Sequence, residues 1–412
     1  MSTPEPVALA DPPPFRRDRR THLWIAIKAL SDGGDALWSI ALAWTAVQIA
    51  SPAVAGLVVA AGTVPRAIVL LFGGVLADRA DTRRVMALCN ILRVLVLVAV
   101  ALWTFVTPPS VAVLLFAAVA FGICDAFYEP SAATIARQLV RTSDLPAYGG
   151  ASQTASRLGT MAGSAVGGVL VAHAGIAGSA SINALTFTAV IAFILIWLRP
   201  RFALARAPKE AALRGIAQGF AHLRENATTR TLVLALSGLN LAVGPAVGIG
   251  LALRAHDEGW GAQAVGVFEA LLGLGAALGA LSVTRWRPRR EAQGGFWALV
   301  VQGAAIVALG VGPAWSVAVA AFTIGVTAGF ASVLLSATFA ATVDTAYLGR
   351  MSSLTRLGDD CLMPLAMAGF GALASATELW VPFLLFGSAM MALMILPLRT
   401  PVFRTMSLRT PG

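Results

Sequence analysis

Long apolar runs alternate with short polar breaks from residue 23 to residue 398. Twelve such runs can be delimited, at about 23–49, 53–77, 84–106, 110–137, 146–174, 178–198, 229–253, 262–284, 293–312, 316–340, 349–374 and 379–398. Each reaches the roughly 20 residues that a helix needs to cross a hydrocarbon core about 30 Å thick. Boundaries drawn this way shift by about two to four residues, and tilt absorbs the excess length of the longer runs. Pro52, Pro108, Pro109, Pro146 and Pro313 punctuate them; a residue without an amide proton interrupts helical hydrogen bonding. The pattern predicts an all-α integral membrane protein with twelve transmembrane helices. An even number of crossings puts both ends on one side.

Composition agrees. The 412 residues are 58% hydrophobic and 12% charged, about half the roughly 25% of charged residues typical of a soluble domain. A formal net charge of +10 would suggest a nucleic-acid partner in a soluble protein. Here the basic residues gather in alternate loops, so no nucleic acid is expected and the lipid bilayer is the partner. Arg16, Arg17, Arg19 and Arg20 precede the first run, and Arg79, Arg83 and Arg84 follow the second. The middle loop carries Arg199, Arg201, Arg206, Lys209, Arg214, Arg224 and Arg230; Arg285, Arg287, Arg289 and Arg290 come later, with Arg399, Arg404 and Arg409 at the end. The opposite loops hold Arg254. The positive-inside rule then places both termini in the cytoplasm, in a multi-pass protein of the inner membrane. Cys89, Cys124 and Cys361 all fall inside apolar runs and read as packing residues, without metal-ligand spacing.

Five parts follow. Residues 1–21, proline-rich and then basic, read as a disordered cytoplasmic tail; residues 22–198 form an N-terminal six-helix bundle. Residues 199–228 form a cytoplasmic linker, where Leu213, Ile216, Phe220 and Leu223 recur at the spacing of an amphipathic surface helix. Residues 229–398 make a C-terminal six-helix bundle, and 399–412 a second cytoplasmic tail. The halves resemble each other: SQTASRLGTMAGSAVGGVLV in the fifth run aligns with SSLTRLGDDCLMPLAMAGFG in the eleventh, matching Arg157-Leu158-Gly159 to Arg356-Leu357-Gly358. Two pseudo-symmetric six-helix repeats with a site between them is a transporter plan.

The loop after the second run, GGVLADRADTRRVM, resembles the signature loop between helices two and three of the major facilitator superfamily. Gly74, Asp78, Arg79, Arg83 and Arg84 fit that signature, with Asp81 where a second glycine is usual. The resemblance implies a gating loop in which Asp78 meets the start of the eleventh helix near Gly349; an aspartate there complements a helix N-terminus. The corresponding stretch GALSVTRWRPRR keeps Gly279 but has Val283 in place of the aspartate, so the gate is asymmetric. Gly159, Gly163 and Gly167 in the fifth run recur at steps of four and predict a close helix-packing face. That stretch resembles the superfamily's antiporter signature, with Ser164 where a proline is usual. Gly273, Gly275 and Gly279 lie in an apolar run without a preceding strand and read as helix packing, not as a nucleotide loop. No HExxH, GxSxG, Walker-type or metal-spaced Cys/His pattern is present, so no enzyme chemistry, metal or cofactor is expected.

Ionisable residues inside spans are costly and face a cavity or each other. The first half has Asp32 and Asp35 in its first run, Arg66 in the second, Asp125 and Glu129 in the fourth, and Arg157 in the fifth. Counted at 1.5 Å per residue from the cytoplasmic ends, Asp35, Arg66, Asp125 and Arg157 lie roughly 16–18 Å deep. A shared polar cluster is expected, with Asp35 and Asp125 carrying a proton and Arg66 and Arg157 tuning them, or a fixed ionic network that specifies packing. Glu269 stands alone in the eighth run and is a candidate substrate contact, as are Trp38, Phe121 and Tyr128. Arg356, Asp359 and Asp360 are expected to compensate one another, and Lys28 and Arg93 to snorkel to the cytoplasmic surface. Trp24, Trp103, Trp197, Trp260, Trp286, Trp315 and Trp380 fall near expected interfaces, where indoles anchor.

The motifs SDGGDALWSIAL, GGVLADR and ARQLVRTSDLP resemble the superfamily's efflux subgroup of macrolide and siderophore exporters. That resemblance implies a monomeric, proton-driven exporter of amphiphilic small molecules, with the proton gradient as its energy source. An uptake symporter of the same fold is the alternative, and a transport-inactive scaffold or sensor, or a channel, lies further off.

Overall fold

The computed structural model describes residues 13–72, 81–202, 219–286, 288–344 and 347–405. Gly74, Asp78 and Arg79 of the expected gate, and Leu213 and Ile216 of the linker helix, lie outside the described residues.

Within the described residues the apolar runs are helices. In chain order, α1 is Arg19–Ile49, α2 Pro52–Phe72, α3 Thr82–Val106 and α4 Val111–Leu139. The stretch Leu145–Ile196 is continuous by hydrogen bonding but turns sharply at Gly175, whose φ of 61° suits a residue without a Cβ. Its two arms are α5 (145–174) and α6 (176–196). Then come α7 (Ala227–Asp257), α8 (Ala262–Arg285), α9 (Glu291–Leu309), α10 (Ala314–Thr342), α11 (Leu348–Ala376) and α12 (Trp380–Arg399). Nine helices among the described residues are long and apolar enough to cross a membrane, counting the bent pair once; Pro52–Ile68 falls in a shorter class. Helix α1, which carries Lys28, Asp32 and Asp35, is not among them.

The packing repeats itself between halves. Helix α2 packs on α4 as α8 packs on α10, and α1 on α5 as α7 packs on α11. Missing side chains allow these approaches. A Cβ on Gly122 would stand 2.1 Å from the Gly62 carbonyl oxygen, and one on Gly325 2.0 Å from that of Leu272. The stripe of Gly159, Gly163 and Gly167 lies on Ala29, Gly33 and Leu37 of α1, and Gly275 and Gly279 lie against Phe322 and Val326 of α10.

Two seams join the halves, α5 with α8 and α2 with α11. Gly168 meets Ala262 and Gly266 in the first, and Gly56 meets Gly371 in the second. These contacts sit where α2 and α8 begin and α5 and α11 end, so both seams are tight on the side away from the chain ends. Trp44 of α1 against His256 of α7, with ring centroids 6.0 Å apart, closes the same side.

The described residues next to the chain ends are more ordered than expected. Within the expected tail, residues 1–12 lie outside the described residues, while Phe15–Arg17 form a 3-10 turn and α1 begins at Arg19. Asp18 caps α1 by accepting from the Thr21 amide and hydroxyl, and it pairs with Arg201 at the start of the linker. Phe15 stacks on His22 at 4.7 Å and donates its amide to Asp144. Burial raises the Asp18 carboxyl, but hydrogen bonds from Arg201 and Thr21 outweigh it and hold the group below its usual value. At the other end Pro401–Thr405 is helical, and Phe403 packs edge-on against Phe296 at 5.4 Å. Trp24, expected at an interface, is wholly buried and donates to the Tyr148 hydroxyl at 3.1 Å. Trp103, Trp197, Trp286, Trp315 and Trp380 are exposed on the outer surface.

Candidate functional site: a polar cavity between the halves

Three adjoining recesses lie between the halves, and all three are lined by Arg66 of α2 and Asp125 of α4. The innermost, about 270 Å³, brings Asp35, Trp38, Phe121 and Asp125 of the first half against Gly248, Glu269 and Met367 of the second. The largest, about 700 Å³, runs from Asp35 past Lys28, Asp32, Arg93, Tyr128 and Glu129 to Tyr148, Gly149 and Arg356. The third, about 440 Å³, adds Asp359 and Asp360 of α11. Gly149 and Gly150 of α5 have open space around them. The cavity therefore opens on the side that carries the chain ends.

The sequence places these residues by simple devices. In α1, Lys28, Asp32, Asp35 and Ser39 recur at helical spacing and turn one polar stripe inward. In α7 the run after Pro245 loosens into a π turn, Ala246–Gly250, because proline supplies no amide to the helical ladder. Gly248 of that turn lines the innermost recess.

The charges pair in an unexpected way. Asp125 binds Arg93 of α3, and Arg157 is neither in the cavity lining nor in an ion pair among the described residues. Arg93 does not snorkel. It is 1% exposed, with its guanidinium 4.8 Å from the Tyr128 ring centroid and 5.0 Å from that of Phe187, and it donates to Asn90 at 3.3 Å. A cation so placed is held by a carboxylate and by aromatic faces together. α3 starts at Thr82, which puts Arg93 about 16 Å in, and the inward face it takes is set by helix rotation rather than by hydropathy.

Arg66 donates to Glu129 at 2.9 Å and lies 3.6 Å from Asp360 of the other half. Lys28 is held by Asp32 at 2.7 Å. Asp359 accepts from Asn240 of α7 at 2.7 Å. The expected compensation of Arg356 by Asp359 and Asp360 is thus not the arrangement found. Asp35 has Arg93, Asp125, Asp32 and Glu129 as its charged neighbours but makes no direct ion pair among the described residues. Glu269 is not alone: the buried Ser164 of α5 donates to it at 2.8 Å across the seam, an interaction a proline at that position could not make. Trp38 and Phe121 stack at 5.3 Å and give the innermost recess an aromatic wall, while Tyr128 sits under Arg93.

Of the gating residues within the described region, Arg83 donates to the carbonyl of Ile194 at 2.6 Å and to that of Leu195, at the end of α6. A cation there complements the partial negative charge of a helix C-terminus. Arg84 is exposed and lies 3.6 Å from Asp81, whose side chain caps α3 through the Arg83 amide. No cluster of three metal-ligating side chains occurs among the described residues.

Comparison with known proteins places this geometry. The Major Facilitator Superfamily description matches residues 25–366. The enterobactin exporter EntS of Escherichia coli (strain 55989 / EAEC) is 26% identical over 342 residues, which cover 79% of this chain and 80% of that one. The exporter of the same name from Shigella boydii serotype 18 aligns with the same identity and coverage. Among solved structures, the nucleoside transporter NupG superposes with a TM-score of 0.70 at 12% identity, covering 91% of this chain and 98% of NupG. A POT family transporter in complex with 5-aminolevulinic acid gives 0.67 at 10% identity, over 92% and 95% of the two chains.

Proposed function

This chain belongs to the Major Facilitator Superfamily and is a multi-pass membrane transporter, and from that premise we propose that it exports amphiphilic small molecules of the drug, antibiotic or siderophore kind in exchange for protons. One observation carries the reading: Asp35, Asp125 and Glu269 line the same recess as the aromatic pair Trp38 and Phe121, at the join of the two halves. Carboxylates there can carry a proton at the depth where an amphiphile's apolar body would lie against the rings.

On this reading the membrane is the inner one, the chain ends are cytoplasmic, and the cavity is open to the cytoplasm. Substrate enters past Tyr148 and Arg356 and lays its apolar body against Trp38 and Phe121, while the acids give up their protons to the cytoplasm. The halves then rock about the α2–α11 and α5–α8 seams, opening the side that Gly56–Gly371 and Gly168–Gly266 now close. Substrate leaves, protons load the carboxylates from outside, and the neutralised cavity returns. The name of the enterobactin exporter, 26% identical, supports export over uptake.

Everted membrane vesicles test the direction. With a proton gradient imposed, acid inside, a fluorescent amphiphile should accumulate in vesicles holding the wild-type protein and leave when a protonophore collapses the gradient. Accumulation indifferent to the protonophore would overturn proton coupling. Gradient-driven loss of dye from preloaded everted vesicles would overturn export in favour of uptake.

A further inference from the structure

The cations lining the cavity are Lys28, Arg66, Arg93 and Arg356. Three of them are engaged: Lys28 by Asp32, Arg66 by Glu129 and Asp360, Arg93 by Asp125. Arg356 makes no ion pair among the described residues, although it lines two of the three recesses. Its natural partner is close at hand. Asp360 follows it by four positions on α11, the spacing at which opposite charges on a helix meet. Asp360 instead lies against Arg66 across the seam, at 3.6 Å. Asp359 is taken by Asn240 and Glu129 by Arg66. The acids around Arg356 are thus occupied, and Arg356 itself is exposed on the cavity lining.

The repeat sharpens the point. Arg157 is the first-half counterpart of Arg356, in the matching Arg-Leu-Gly triplet. The α5 stripe continuing from Arg157 meets α8 through Met161, Ser164 and Gly168, just as the α11 stripe continuing from Arg356 meets α2 through Asp360, Met367 and Gly371. Both arginines therefore stand at the open end of an inter-half seam. Only Arg356 lines the cavity, beside recesses that run inward to Trp38 and Phe121.

We propose that Arg356 is the anchor for an acidic group of the substrate, which makes the transported amphiphile an anion bearing a carboxylate or a comparable oxyanion. A guanidinium presents two parallel donors to such a group, and the charge-assisted pair is stronger than a neutral one. The seam supplies the release. Asp360 is available to Arg356 only when Arg66 lets it go. Rocking that opens the far side of the α2–α11 seam re-registers the two helices, transfers Asp360 to Arg356 and displaces the bound anion. Substrate binding and the Arg66–Asp360 contact belong to one state, and substrate release and the Arg356–Asp360 contact to the other. This rests on the export reading for its direction, but the binding step does not need transport to be measured.

The test is equilibrium binding to purified protein in nanodiscs, read by quenching of tryptophan fluorescence. The probes are cholate below its micellar concentration, the uncharged amide of cholate, and tetraphenylphosphonium. Wild type should bind cholate about tenfold more tightly than the amide, the scale of one charge-assisted pair, and should bind the cation most weakly. Arg356→Gln should erase that tenfold preference while leaving the amide unchanged, and Arg356→Lys should keep part of it. Arg137→Gln, which removes an exposed positive charge from the same side of the protein, should change nothing. Asp360→Asn should hold cholate at least as tightly as wild type yet slow its transport in proteoliposomes. An undiminished preference for cholate in Arg356→Gln overturns the anchor, as does tighter binding of the cation or failure of wild type to bind cholate. Selective binding without any proton-driven flux would overturn the export reading and leave the anchor standing.

Discussion

Replacing Gly163 by alanine adds one methyl group where the backbones of α1 and α5 touch. The added carbon would stand 2.0 Å from the Gly33 carbonyl oxygen and 2.6 Å from the Gly33 α-carbon. Ordinary contact begins near 3.4 Å, so the helices must part by roughly 1.4 Å, a shift that a close-packed interior does not absorb. No flexible side chain can yield, because every atom met is main chain. Overpacking of this kind costs about 1–3 kcal/mol, and a contact made wholly by backbone belongs at the upper end. Better helix propensity returns about 1 kcal/mol, which leaves a net loss of about 2 kcal/mol. Gly149, on the same helix, has nothing within 4 Å of the corresponding position. There only the propensity term acts, and alanine stabilises by about 0.5–1 kcal/mol. The two variants make the same chemical change in one helix with opposite expected signs. Apparent melting temperatures in detergent, followed by size-exclusion of the heated samples, give the order Gly149→Ala above wild type above Gly163→Ala. A Gly163→Ala protein as stable as wild type would refute the close approach of α1 and α5.

Arg93→Gln leaves the Asp125 carboxylate beside a neutral amide and should cost about 3 kcal/mol, the low end for a broken buried pair, since the Asp125 side chain is 30% exposed. Adding Asp125→Asn should restore much of that stability, and a double variant no better than the single one would mean that Arg93 acts by packing alone. Burial raises the Asp18 carboxyl, but hydrogen bonds from Arg201 and Thr21 hold it below its usual value of 3.8, so its contribution is complete above that value. It is lost as pH falls below 3.8 towards the lowered folded value. Melting temperature followed from pH 6 to pH 3 should fall more for wild type than for Asp18→Asn, and parallel curves would contradict the capping role. Arg83→Gln removes the cation from the end of α6 and should lower stability by about 1 kcal/mol, measured by detergent-denaturant titration, with no change if the residue serves topology alone.

The membrane character, the helical runs and the repeat were legible because they rest on many residues at once. Hydropathy over twenty positions survives local error, and the matched Arg-Leu-Gly triplets mark the same register in α5 and α11. The pairing of charges was not legible. Asp35, Asp125, Arg66 and Glu129 were found by type and depth, but which carboxylate meets which cation depends on helix rotation, which a linear pattern does not carry. Arg93 shows the difficulty: a position about three turns from the start of α3 can face lipid and snorkel, or face inward beside Tyr128 and Phe187, and one residue in the helix phase decides. Ser164 is the opposite case. Its departure from the expected proline was visible in the sequence, yet its meaning, a donor for Glu269 across the seam, needed the α5–α8 packing. The order of Phe15–Asp18 escaped because composition around residues 1–21 averages a proline-rich stretch with a capping aspartate.

The most direct test of proton-coupled exchange uses proteoliposomes of purified protein enclosing a pH-sensitive dye. Amphiphilic substrate is added across an imposed proton gradient, with Asp35→Asn and Asp125→Asn measured alongside the wild type. Substrate-dependent proton movement in the wild type, lost in either variant, is the predicted result and assigns that carboxylate its role. Substrate flux that ignores the gradient and is equal in all three proteins would contradict the account and leave these acids as a structural network.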